Sequence, residues 1–420
     1  MITGSRVRPE SAIARDRVLE IYRKNMSLGM ACLAGLMHAG VESRSSGAYV
    51  WDEAGTRFID CGGYGVFILG HCHPRVVEAV VQQVRSNPLT TQLLLNRPMA
   101  DAAEVLIRIA PRGLDHVYFG VSGADAVETA IKIARLNGRT RLVAMENGYH
   151  GMSLGALSVT GRSAYRAPFE PLLSHVEFVP FGDAGALADR LRSGEPACVL
   201  LEPVQAEAGV IVPPPGYLKA VEQACRAHNA FLVLDEIQSG MGRLGAWWGA
   251  DIEDVVPDLL LAGKSLSGGI VPVSAVVGTA TAFHRLSRDP LIHSPTFAGA
   301  PIAMAAAKAA IEAIDEEDIV ERARTLGSKL LNLVTAALRD TCPALVREVR
   351  GSGLLVGIEW TADFLALDFL IEMLDRGVIL SHSMNAPRVT RFTPPAVLGD
   401  EDLSVLDGAV RASGAAMAAR

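Results

Sequence analysis

No two cysteines in this chain form a C-x-x-C pair: Cys32, Cys61, Cys72, Cys198, Cys225 and Cys342 are scattered. The pattern argues against a zinc ribbon or a disulfide framework and suits reduced thiols in a cytosolic protein. Positive charge is also in short supply. The net charge is −7 and no basic stripe is present, so nucleic acid is not the expected partner. No apolar run approaches the ~20 residues that span a bilayer. None follows Met1-Ile-Thr-Gly-Ser-Arg6 either, so no secretory signal is expected there. These absences predict a soluble, cytoplasmic protein with no membrane partner. His71-Cys72-His73 hints at a metal, but Gly70 and Pro74 beside it predict a turn, and no metal is expected.

Half of the 420 residues are hydrophobic, enough to bury a large core. Residues 1–75 read as an N-terminal segment, with a helix near Ser11–Met26, a hairpin over Tyr49–Asp60 and the glycine-rich Cys61–Gly70. Residues 76–315 alternate helical patterns with short apolar runs at His116–Phe119, Arg141–Met145, Val176–Pro180, Cys198–Leu201, Phe231–Leu234 and Leu259–Ala262. That rhythm predicts an α/β fold with a largely parallel sheet flanked by helices, its ligands gathered at the carboxyl ends of the strands. Residues 316–420 read as a smaller α+β domain: a helix over Ile319–Arg339, a strand over Leu354–Trp360, a helix near Phe364–Arg376 and a strand region over Val389–Thr393.

Two strand ends carry the chemistry. Leu259-Leu-Leu-Ala-Gly-Lys264-Ser-Leu-Ser-Gly-Gly269 delivers one lysine into a loop of small residues, which lets a ligand approach its amine closely. Phe231-Leu-Val-Leu-Asp235-Glu-Ile237-Gln238 ends an earlier strand in acidic and amide side chains. A lysine and a carboxylate so placed suit pyridoxal 5'-phosphate, which needs a Schiff-base lysine and a partner for its pyridinium nitrogen. Ser122-Gly123-Ala124-Asp125 opens a helix as a capping box, or as a phosphate cradle of backbone N–H groups. Two nucleotide motifs fail. Ala262-Gly-Lys-Ser265 lacks the first P-loop glycine, and Gly240-Met-Gly-Arg-Leu-Gly245 is not followed by a helical pattern. Tyr149-His150 sits in a glycine-bounded loop, Glu202 and Glu207 follow a strand, and Arg388 and Arg391 are either edge charges or carboxylate clamps.

In this order and spacing, from about Tyr49 to the C-terminus, these motifs resemble the class III (omega) aminotransferases, fold-type I pyridoxal-phosphate enzymes. Phe58–Phe67, Arg166–Leu173 and Pro213–Leu218 look most like the putrescine aminotransferase branch, with ornithine aminotransferases next. The resemblance implies that Lys264 binds the cofactor covalently and shuttles a proton, and that Asp235 holds the pyridinium nitrogen. It implies that Gln238 bonds near the ring oxygen, with Tyr149 and Ile237 on the two ring faces. Ser122, Gly123 and Ala124 would take the phosphate, joined by Thr296 of the second subunit of a homodimer. His150 and Glu202 are also implied at the cofactor. Glu207 and Arg391 match the family's gate, in which the arginine is masked by the glutamate or freed for a keto-acid carboxylate.

The departures matter as well. Met152 stands where several relatives carry an arginine or lysine for a substrate carboxylate, which predicts an amine or aldehyde without one there. Asp125 replaces a glutamate, and Ala206 and Ala208 replace glycines, which suggests a reshaped pocket. The expected reaction moves an amino group between a primary amine, or its aldehyde, and a 2-oxo acid such as 2-oxoglutarate. The rivals are an ornithine-type or other class III aminotransferase, an aminomutase or decarboxylase on the same fold, and a structural homologue without activity.

Overall fold

The computed structural model describes residues 10–289 and 291–420. At its centre is a seven-stranded sheet in the order His116–Gly120, Ser274–Gly278, Leu259–Ala262, Phe231–Asp235, Ala197–Leu201, Arg141–Met145, Val176–Val179. The last five run parallel, with Val199 opposite Leu232 and Val233 opposite Leu259. Every residue of the four strands from Leu259–Ala262 to Arg141–Met145 is buried. This is why they read as unbroken apolar runs rather than alternating ones: a parallel sheet is covered on both faces.

The period of two still decides which face each side chain joins. Leu142, Ala144, Leu200, Val233 and Leu261 pack with the helix Gly123–Leu136 on one side. Val143, Leu201, Leu234, Leu260 and Ala262 pack on the other with Tyr217–Ala227 and Pro301–Glu316.

Two smaller sheets complete the molecule. Val346–Ser352, Leu355–Trp360, Val389–Phe392 and Ser381–His382 form an antiparallel sheet. The helices Asp363–Asp375 and Ile319–Thr341 pack on it, and Asp400–Ala418 packs on both of them. The N-terminal strands Glu42–Ser46, Tyr49–Asp52 and Arg57–Asp60 pair in turn, and Val378–Ile379 joins them in parallel, with Val378 opposite Ile59.

Several elements depart from the sequence-based expectation, among them the helix Leu28–Leu36 and the short strands Glu42–Ser46, Val378–Ile379 and Ser381–His382. The strand Ser274–Gly278 was not expected; it runs antiparallel to both neighbours, so the sheet is mixed. Val346–Ser352 and the 19-residue helix Asp400–Ala418 were not expected either. The segment considered for a leader, residues 1–6, lies outside the described residues. No described helix is long and apolar enough to cross a membrane. All six cysteines are free. His71 bonds Asp60 at 2.8 Å and His73 bonds Glu317 at 2.9 Å, so the two histidines flanking Cys72 point to different carboxylates.

Candidate active site

Lys264 follows the strand Leu259–Ala262 by one residue, and Gly263 between them is extended. Lys264 itself has φ +45°, a left-handed backbone that a long side chain rarely adopts. A short turn over Lys264–Ser267 holds it there. Asp235 ends the neighbouring strand, opposite Leu261, so the lysine and the carboxylate leave the sheet on the same edge.

Between them is a cavity of about 270 Å³. Gly123, Ala124, Tyr149, His150, Met152, Glu202, Asp235, Ile237, Gln238 and Lys264, all singled out from the sequence, line it together with Gly151. Four other candidates do not. Ser122 is exposed, and its hydroxyl accepts the Asp125 N–H at 3.2 Å as a helix cap. The expected reciprocal half of that capping box is absent: the Asp125 carboxylate turns to the Val121 N–H instead, at 2.9 Å. Thr296 is exposed, its carbonyl taking a hydrogen bond from Gln92 at 2.9 Å. Glu207 and Arg391 form a buried ion pair of their own at 2.7 Å.

Asp235 is 4 % exposed. One of its oxygens accepts from the Ile237 N–H at 3.1 Å and the other pairs with His150 Nδ1 at 2.7 Å. Burial pulls the His150 pKa down, but the Asp235 hydrogen bond and charge outweigh it, and the net shift is upward. Burial pushes Glu202 up to about 7, with His150 opposing and Asp235 reinforcing. Glu202 holds the cavity wall, accepting from the backbone N–H groups of Tyr149 at 3.0 Å and Ala206 at 3.3 Å. The Lys264 amine donates to Gln238 Oε1. Burial lowers its pKa, with Glu207 opposing and Arg391 reinforcing. A lowered pKa raises the fraction of neutral amine, the form that attacks a carbonyl or takes a proton.

Glu236 belongs to a different task. It is fully buried and turned away from the cavity, accepting from Ser239 Oγ at 2.5 Å and the Ala250 N–H at 2.8 Å. Burial raises its pKa from 4.5 to about 7. A carboxyl so raised stabilises the fold fully below its unfolded value, and that contribution is lost as pH climbs through the folded one. Glu236→Gln is therefore expected to lose less stability than the parent between pH ~5 and ~8, by on the order of 3 kcal/mol. Urea midpoints at the two pH values check this; equal slopes for parent and variant would contradict it.

Sequence reasoning missed two supports of the site. Glu128 accepts from Ser153 Oγ at 2.6 Å and from the Gly155 N–H at 2.8 Å, fixing the loop just after Met152. Asn385 donates to the Asn147 carbonyl at 2.7 Å, tying the loop that carries Tyr149 to the small antiparallel sheet. Both join residues far apart in the chain, and nothing local marks them.

The family model described as "Aminotransferase class-III" matches residues 35–410. The chain belongs to the class III aminotransferases. Among solved structures it is similar to the ornithine aminotransferase of Toxoplasma gondii, at 32% identity, TM-score 0.86, 97% of this chain and 98% of that one. It is also similar to an acetylornithine aminotransferase of Elizabethkingia anophelis, at 29%, TM-score 0.80, 95% and 98%. A thermostable omega transaminase of Pseudomonas jessenii matches at 25%, TM-score 0.84, 92% and 95%.

Class III aminotransferases are fold-type I enzymes that use pyridoxal 5'-phosphate, and the residues here fit that group. Gln238, which lines the cavity, has a buried Nε2 donor with no partner in the protein. A side chain on Gly123 would stand 3.1 Å from Ile237, and one on Gly151 only 2.8 Å from the Ala124 Cβ, so glycine keeps both sides of the cradle open. Asp235 still has lone pairs to offer a ring N–H.

Proposed function

We propose that this aminotransferase moves an amino group between a putrescine-like primary amine, or the matching aldehyde, and a 2-oxo acid such as 2-oxoglutarate. The observation that carries the amine side is Met152. It lines the cavity beside Gly151, 45% exposed, and its thioether offers a substrate carboxylate neither charge nor a hydrogen-bond donor. Support for the keto-acid side comes from Arg391. One of its nitrogens reaches Glu207 at 2.7 Å and the His382 carbonyl at 3.1 Å, while Nε and Nη1 are buried without partners. Unpaired buried guanidinium donors are costly unless a second acceptor visits them.

Bound in this cavity, pyridoxal phosphate supplies an electron sink for the pair left behind when the substrate carbon loses its proton. The protein's part is positioning and proton transfer. The backbone N–H groups at Gly123 and Ala124, at the start of the helix Gly123–Leu136, would hold the phosphate, with Ser122 beside them. Asp235 would hold the pyridinium nitrogen, with His150 fixing the carboxylate. Gln238 would bond near the ring oxygen, and Tyr149 and Ile237 would enclose the ring. Lys264, its amine neutral in a larger fraction of molecules, would take the proton from the substrate carbon and carry it to the cofactor side. Glu207 masks Arg391 while the amine reacts, and moves aside when a keto-acid carboxylate arrives.

The active form in this reading is a cytoplasmic homodimer in which Thr296 reaches the partner's phosphate site. In support, the strongly exposed Leu93, Leu94 and Leu95 adjoin the Thr296 loop. Gln92 bonds the Thr296 carbonyl at 2.9 Å and Asn96 the Gly299 carbonyl at 2.7 Å. An apolar run of this kind on a surface marks an interaction site.

A half-reaction tests the substrate reading. The cofactor-loaded protein is mixed with glutamate, putrescine, cadaverine, ornithine or 4-aminobutyrate, and the cofactor's absorption is followed. Bleaching by glutamate and the diamines but not by 4-aminobutyrate is expected; bleaching only by carboxylate-bearing donors overturns the amine assignment. Met152→Arg should shift kcat/KM toward 4-aminobutyrate, relative to putrescine, by roughly tenfold to a hundredfold, the worth of one charge-assisted hydrogen bond. A parent that already prefers 4-aminobutyrate would refute the role of Met152.

A further inference from the structure

The loop between the strands Ser381–His382 and Val389–Phe392 does more than close the small sheet. Its Met384 N–H donates to Glu207 Oε2 at 2.9 Å, the oxygen not used by Arg391. The Glu207 carboxylate is thus held from two sides. The next peptide, from Met384 to Asn385, is fixed at both ends. Its N–H donates to the Glu207 backbone carbonyl at 2.9 Å. Its carbonyl accepts from the Arg162 guanidinium and, at 2.7 Å, from the Tyr165 hydroxyl. Arg162 also lies over the Tyr165 ring, 4.9 Å from its centre. Among the described residues it pairs with no carboxylate, so its charge is directed at this one carbonyl.

We infer that Arg162 and Tyr165 are positioning residues that set how readily Glu207 leaves Arg391, and through it how the enzyme divides between amine and dicarboxylate substrates. The inference rests on the proposed Glu207–Arg391 gate. With the Met384–Asn385 peptide pinned, Met384 cannot turn its N–H away from Glu207, and the masked state is favoured. Freed of that pin, the N–H loses its aim. Glu207 then loses one of its two charge-assisted partners, and Arg391 is unmasked more often. A ligand that needs the bare arginine gains, because the fraction of protein competent to bind it rises. A ligand that needs the arginine masked loses.

The test is steady-state kinetics on the cofactor-loaded enzyme, with KM measured for 2-oxoglutarate and for putrescine in each variant. Arg162→Ala is expected to lower KM for 2-oxoglutarate about threefold to tenfold while raising KM for putrescine, with kcat changed less. Tyr165→Phe should give a smaller split of the same sign, and Arg162→Lys should restore most of the parent's ratio. A purely structural role would worsen both KM values together, and that result, or no change in Arg162→Ala and Tyr165→Phe alike, overturns the inference. Glu207→Gln separates the two ideas. If it fails to split the substrates, the gate itself is wrong and this inference falls with it. If it splits them and the Arg162 and Tyr165 variants do not, only the positioning role is refuted.

Discussion

Lys264→Ala is expected to reduce transamination by at least ~10³-fold while leaving the fold in place. General acid–base help from one positioned group is typically worth ~10²–10⁴-fold, and in the proposed function the same amine would also bind the cofactor covalently. Three features of the site concentrate these roles on one residue. Burial lowers its pKa, so the amine is neutral more often than a free lysine's. Its hydrogen bond to Gln238 Oε1 aims the nitrogen into the cavity. Its backbone at φ +45° is a conformation that costs of order 1–3 kcal/mol and persists only where neighbours enforce it. Alanine at that position carries the same backbone strain, so stability should change little and the loss is chemical. Two measurements decide the matter. Single-turnover decay of the cofactor absorption with glutamate should slow by the stated factor, and the urea midpoint should move only slightly. A variant within tenfold of the parent would show that Lys264 is not the proton carrier.

The strand ends that carry this chemistry were legible because their signal is local. Leu259–Ala262 and Phe231–Leu234 are unbroken apolar runs, and the residues that follow are polar and few in kind. The strand Ser274–Gly278 escaped for the opposite reason. It is short, begins with serine, ends with glycine and follows Lys264–Val273 with no helix between, so the expected alternation does not predict it. Its antiparallel course removes the need for a crossover helix. The helix Asp400–Ala418 is a plainer omission. Leu403, Leu406, Val410 and Met417 lie on one face, and Asp400, Glu401 and Asp402 open its first turn, both standard helix signals. Gly408, Gly414 and the alanines around them masked that pattern. The pairing of Glu207 with Arg391 followed from the resemblance, but His150 as the partner of Asp235 and Met384 as the second partner of Glu207 had no local signal at all. His150 lies 85 residues from Asp235 and Met384 lies 177 from Glu207, so only the folded chain brings them together. Arg388 and Arg391 looked equivalent as sequence. Burial separates them: Arg388 meets Asp363 at 3.1 Å with its side chain 37% exposed, while the Arg391 side chain is wholly buried.

Asp235→Asn is expected to reduce kcat/KM by about 10²–10³-fold, on the scale seen when one preorganised electrostatic partner is removed. Asparagine keeps the shape and can still accept the Ile237 N–H, but it carries no charge. In the proposed function the cofactor's ring nitrogen would then lose the anion that keeps it protonated, and with it much of the electron demand that eases proton loss from the substrate carbon. The same substitution has a signature that does not depend on turnover. Asp235 raises the His150 pKa above its unfolded value of 6.5. A histidine raised in this way stabilises the fold fully below its unfolded pKa, and the contribution fades as pH rises through the folded one. Removing the carboxylate should therefore cost more stability near pH ~5.5 than near pH ~8.5. Denaturant midpoints at the two pH values give that difference directly. If activity falls but the pH-dependent loss is absent, Asp235 acts on the cofactor without being coupled to His150. If activity stays within threefold of the parent, the carboxylate is not the group on which the ring nitrogen depends.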